Sequence, residues 1–159
     1  MVNIFFLSED PVESANMQCD QHVVKMPLES AQMLCSAYSK TQAPYRRTHY
    51  NHPSNIWIRE SNQNYQWLIM HGLALCEEYH HRFGKTHASE EVILWCWGHS
   101  YLLSFQKTSL SPFPKVMPDL FKVESAIESY RKFYIGEKSK FARWNNGRVA
   151  PPWYSQANL

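Results

Sequence analysis

Apolar residues in the middle of the chain return at steps of three and four: Tyr65, Leu68, Ile69, Gly72, Cys76, Tyr79 and Phe83. An α-helix turns by about 100° per residue, so this series lines one helical face, whereas a half-buried strand requires strict alternation. The helical pattern also runs from about residue 11 to residue 38. It returns over residues 123–143, where Val123, Ile127, Tyr130, Tyr134 and Phe141 share one side. A chain patterned in this way folds as helices packed on helices. Its 159 residues are the length of one ordinary domain, and 44% of them are apolar, enough for a real core. No repeat, linker or low-complexity tract divides it. The expectation is an all-α protein, a single compact multi-helix domain over residues 1–159 with a short extended N-terminal segment at residues 3–7.

Turn and cap residues divide the pattern. Asp10-Pro11 reads as a cap followed by Pro at the first helical position, opening a helix to about Tyr38 that Pro27 interrupts and kinks. A polar loop over residues 40–54 closes with Asn51-His52-Pro53-Ser54, and Ser54 is expected to cap a long helix ending near Phe83, with Gly84 as its stop. A third helix is expected over residues 89–105, then an ordered loop with three prolines over 107–121, then the helix of 123–143. The tail carries Pro151-Pro152-Trp153-Tyr154.

Charge narrows the choice of partner. The net charge is only +2, but residues 40–59 hold four Lys or Arg and no acid, and residues 122–148 hold seven against three Glu. That unevenness suits a polyanion. Cys19, Cys35, Cys76 and Cys96 are widely spaced, form no CxxC pair and sit in apolar helical stretches. With no signal peptide in view, a reduced, cytoplasmic protein is expected. No apolar run approaches the ~18 residues of a membrane span.

Glu29 stands out within this frame as the sole carboxylate between Asp20 and Glu60. At helical spacing Gln18, His22, Lys25, Glu29 and Gln32 fall within an arc of about 80°, opposite Val24, Leu28, Ala31, Leu34, Cys35 and Tyr38. Two readings compete. In one, Glu29 is an exposed partner of Lys25 worth ~0.3–0.5 kcal/mol. In the other, it is a working carboxylate, with His22 and Lys25 holding a phosphate or a nucleotide nearby. The loop Arg46-Arg47-Thr48-His49, with His52 and Arg59 beyond it, reads either as a solvated basic surface or as a phosphate clamp with Tyr45 and Tyr50 for stacking. His71, Cys76, His80 and His81 lack the paired spacing of a zinc site, so no metal and no cofactor are expected. Trp95 and Trp97 read as packing residues, while Trp144 and Trp153 lie beside basic residues.

Asp20-Gln21-His22 followed seven residues later by Glu29 resembles the pyrimidine-dimer DNA glycosylase family, the phage endonuclease V-like enzymes. Asn51-His52-Pro53, the group Glu78, Arg82, Phe83 and Gly84, and Trp153-Tyr154 are similar to segments of that family. The opening from Cys19 to Met26 is also similar to small phage-encoded proteins. The resemblance covers residues 1–84 and the extreme end. It implies attack by the chain's own α-amine on the sugar C1′ of a damaged pyrimidine nucleotide, imine formation and β-elimination, with Glu29 stabilising the cationic sugar. The amine belongs to Val2 if Met1 is removed and to Met1 otherwise. DNA is then the partner, contacted by His22, Lys25, Arg46, Arg47, His52 and Arg59. Three positions depart from the family: the chain begins Val2-Asn3 where an Arg is typical, and Leu28 and Gln32 replace the Arg residues that flank the catalytic Glu. Residues 85–150 form a larger insertion than the family needs. Two rivals stand beside the glycosylase, a non-enzymatic phage DNA-binding protein and a phage nucleotide- or DNA-modification enzyme.

Overall fold

Local chemistry sets most of the helix starts. Asp10 accepts from the backbone N–H groups of Val12 and Glu13, and Pro11 follows it at the first turn. Ser61 caps the longest helix by accepting from Asn64, and Ser125 caps a later one by accepting from Glu128. Gly84, at φ +69°, ends the longest helix in the left-handed conformation that glycine adopts without strain. The computed structural model describes residues 2–39 and 41–157. Its helices are α1 (Pro11–Met17), α2 (Asp20–Ser36), α3 (Pro53–Glu60), α4 (Asn62–Phe83), α5 (Glu90–Gly98), α6 (Ala126–Gly136) and α7 (Pro152–Ala157). Among the described residues there is no strand, only one isolated parallel bridge between Ser61 and Lys107. The fold is all-α.

α4 is the hub, packed against α1, α2, α3 and α5. Gly72 lets α5 come close, since a Cβ there would meet Ile93 Cδ1 at 2.9 Å. The extended opening segment is core rather than surface: Val2, Ile4, Phe5, Phe6 and Leu7 are all buried. Ser14 of α1 stitches it in place, donating to Phe5 O and accepting from Leu7 N–H, and Arg131 of α6 donates to Leu7 O. Among the described residues, no helix is long and apolar enough to cross a membrane.

Several boundaries differ from the sequence expectation. The first helical stretch is two helices, because Gln18 turns extended and its carbonyl is taken by Arg82. The second divides at Ser61, and its start is capped by His52 Nδ1, which accepts from the buried Ser54, rather than by Ser54 itself. The third and fourth helices are shorter than their apolar patterns, each trailing into a single 3₁₀ turn. Pro27 lies inside a continuous α2. Faces are corrected as well: Val24 and Leu28, expected in the core, are 46% and 41% exposed, while Glu29 is 5% exposed. The opening segment packs over His22 and Glu29 of the polar stripe, and one helix's pattern carries no signal of that.

The start of α2 is fixed by a buried charge network. Arg82 donates to Asp20 Oδ1 (3.1 Å), to Glu78 Oε1 (3.0 Å) and to the carbonyls of Gln18 and Asn16. Arg148 binds Glu78 through both carboxylate oxygens, and Asn145 and Asn146 donate to Asp20 Oδ2. Burial pushes Glu78 up, but hydrogen bonds from Arg148 and Arg82 outweigh it and hold its carboxyl below the usual range. A depressed carboxylate stabilises the fold above its unfolded pKa, and that stability is lost as pH falls through the folded one. Arg82→Ala leaves two buried carboxylates short of their partner and is expected to cost about 3–5 kcal/mol. Urea denaturation at pH 7 measures this, and the wild-type protein should weaken steadily below pH 4.5 in the same assay.

Candidate functional site

Glu29 faces inward on α2, one turn beyond Lys25 and two beyond His22, and α2, the opening segment, residues 116–118 and the end of α6 enclose the space before it. The cavity measures about 750 Å³ and is lined by Val2, Asn3, Phe5, His22, Lys25, Glu29, Met117, Phe133, Lys138 and Phe141, among others. Its size falls in the range of small-ligand sites.

The backbone N–H of Asn3 donates to Glu29 Oε1 at 2.9 Å, and Lys25 Nζ lies 3.4 Å from Oε2. Asn3 is itself fixed on three sides. Its Nδ2 donates to Val116 O, and its Oδ1 accepts from Ile4 N–H and from Ser54 Oγ at the start of α3. Burial raises the pKa of Glu29, against the opposing pull of Lys25 and of the Asn3 N–H. Lys25 is 66% exposed, so solvent screens its charge and the pair does not offset the carboxylate's desolvation.

His22 is buried and stacks on Phe5 with ring centres 4.3 Å apart. Its Nδ1 shares a close hydrogen bond with the Tyr134 hydroxyl. Burial, aided by the charges of Lys138 and Lys25, pulls its pKa down to about 3. His22 is therefore a neutral wall residue at pH 7 rather than a cationic phosphate contact.

The expected DNA contacts divide. Arg46 is exposed. Arg47 closes the C-terminal end of α2, donating to the carbonyls of Ser36 and Tyr38. Arg59 donates to Tyr50 O and Asn55 Oδ1. Both guanidiniums lie on the Tyr50 ring, 4.3 and 3.7 Å from its centre. His52 spends its Nδ1 on the cap of α3. A second concavity brings Arg46, Arg47 and Thr48 against Leu28 and Gln32 of α2, so the basic loop adjoins the turn of α2 after Glu29. Met1, the alternative source of the amine, and Lys40, counted in the basic stretch 40–59, lie outside the described residues.

Lys138, Phe133 and Phe141 escape the sequence reading. They lie more than a hundred positions from Glu29. Phe141 reads only as part of an apolar helical face, and the signal for Lys138 is the basic bias of residues 122–148, which does not single out one lysine. Trp144, which lies beside basic residues in the sequence, donates its indole N–H to Met17 O within the fold.

Comparison with known proteins gives no relative: the chain matches no family model, no curated protein and no solved structure.

The raised pKa of Glu29 has a consequence for stability. A carboxyl whose folded pKa is raised contributes stability below its unfolded pKa and loses it as pH rises through the folded one. Glu29→Gln keeps an acceptor for Asn3 and removes the buried charge. Above pH 7 the variant is expected to melt at or above the wild-type temperature, with the advantage vanishing below pH 4.5. Thermal unfolding across pH measures this, and a variant markedly less stable at pH 8 would contradict the assignment.

Proposed function

We propose that the protein is a DNA glycosylase with associated abasic-site lyase activity, acting on damaged or modified pyrimidine nucleotides through an α-amine and the carboxylate of Glu29. The observation that carries this reading is the 2.9 Å hydrogen bond from Asn3 N–H to Glu29 Oε1, made inside a cavity of nucleotide size. Consecutive backbone nitrogens are less than about 4 Å apart, so the α-nitrogen of Val2 is within roughly 7 Å of that carboxylate oxygen.

The chemistry follows from the groups. An α-amine of pKa ~7.7–8 is partly neutral at pH 7 and nucleophilic without further activation. Its lone pair attacks C1′, and the base departs with the electrons of the glycosidic bond and takes up a proton. Loss of a proton from the amine and opening of the sugar ring give the imine. Removal of a C2′ proton then expels the 3′ phosphate by β-elimination, and hydrolysis of the imine frees the amine. Glu29 is the group for these proton transfers and for stabilising positive charge on the sugar. Its raised pKa brings it nearer to the pH at which it would exchange protons. Lys25 at the rim and Arg46, on the loop that adjoins the next turn of α2, supply charge for the phosphates on either side.

The rival, DNA binding without chemistry, has the Arg47–Tyr50–Arg59 stack in its favour, since a charged aromatic surface can follow a phosphate backbone with no reaction. Borohydride treatment in the presence of an abasic-site duplex separates the two. The glycosylase–lyase is expected to become covalently attached, and Glu29→Gln should lower turnover by roughly 10²-fold or more while still binding DNA. A wild-type protein that binds the duplex but is never trapped supports binding alone.

A further inference from the structure

Lys138 is a cation of the cavity wall that the proposed chemistry does not use. Its Nζ lies 4.5 Å from the ring centre of Phe133, 5.6 Å from Phe5 and 6.0 Å from Phe141, a seat of three aromatic faces. Among the described residues it makes no ion pair, whereas Lys25 across the cavity is paired with Glu29. With His22 neutral, the cavity's cations are Lys25 and Lys138, set against Glu29 and the exposed Glu137 at the rim.

We infer that Lys138 and Lys25 form an anion subsite at the mouth of the Glu29 cavity that takes a phosphate group. An ammonium has three donors, and the ring faces occupy only its protein side, leaving donors for a ligand. Burial pulls the Lys138 ammonium below the ordinary lysine range, with Glu137 and Glu29 opposing and Lys25 reinforcing the shift, so an arriving anion relieves an under-solvated charge. The aromatic seat beside it suits the flat or apolar part of the same ligand, as in a nucleotide. The inference rests on the function proposed above for the identity of that ligand, either a backbone phosphate of DNA or a free nucleoside monophosphate.

Carbon-13 methylation of the lysines keeps their charge and makes each ammonium visible by NMR, with Lys138→Arg and Lys25→Arg supplying the assignments. Inorganic phosphate and thymidine 5′-monophosphate are expected to shift the Lys138 and Lys25 signals saturably while those of Lys107 and Lys132 stay in place. A Lys138 signal that neither probe moves, or equal shifts at all lysines, overturns the subsite. On a duplex carrying a tetrahydrofuran abasic analogue, Lys138→Gln should bind about tenfold more weakly. Its slope of log affinity against log salt should fall by about 0.9, and Lys138→Arg should keep most of the affinity. Wild-type affinity in a folded Lys138→Gln protein overturns a backbone-phosphate ligand, and phosphate shifts that persist beside it assign the subsite to free nucleotides. Phosphate shifts without borohydride trapping keep the subsite and remove the glycosylase reading. Trapping without phosphate shifts does the reverse.

Discussion

The buried guanidinium of Arg82 is the interaction on which the rest of the structure depends. It joins the end of α1, the first residue of α2 and the last turns of α4, and through Glu78 and Asp20 it brings in Arg148, Asn145 and Asn146. Fixing Asp20 fixes the start of α2, and with it the rotation that turns His22 and Glu29 inward and Val24 and Leu28 outward. A network of this kind stabilises only when every member is satisfied, because an uncompensated buried charge costs more than the pair contributes. Gln18 gives its carbonyl to Arg82 and its side-chain Nε2 meets His71 Nε2, while its buried Oε1 has no hydrogen-bond partner among the described residues.

Glu29 is held at a cost. The opening segment covers it, and among the described residues one backbone N–H and one exposed lysine answer its charge, so its ionised form is less favourable in the folded protein than in the unfolded chain. A carboxylate held against its own solvation, inside a cavity and next to the chain's first residues, is a poor device for stability and a good one for proton transfer. The neutral His22 and the aromatic wall lower the polarity around it, which strengthens whatever charges a ligand brings.

Much of this was legible in the sequence, for reasons that can be named. Helical content, the cap at Asp10, the stop at Gly84 and the extended form of residues 3–7 all depend on local chemistry, and local chemistry is written in neighbouring residues. Glu29 stood out because its neighbours lack acids. What could not be read were the effects of distant packing. The breaks at Gln18–Cys19 and Ser61 carry no Gly or Pro; carbonyl capture by Arg82 and the bridge to Lys107 accompany them. The burial of Glu29 comes from a segment 26 positions away, and Lys138 reaches the cavity only through the tertiary fold. A basic loop likewise gives no sign of the backbone carbonyls that the Arg47 and Arg59 guanidiniums bind.

The central claim is that the opening segment and Glu29 form one reactive unit. Peptide mapping of the protein after borohydride reduction with abasic DNA tests it most directly, because the cavity holds other amines at Lys25 and Lys138. The account predicts that the sugar remnant is carried on the N-terminal peptide and that the adduct is lost in Glu29→Gln. An adduct on Lys138 or Lys25, or one that forms equally well without the Glu29 carboxylate, would contradict it.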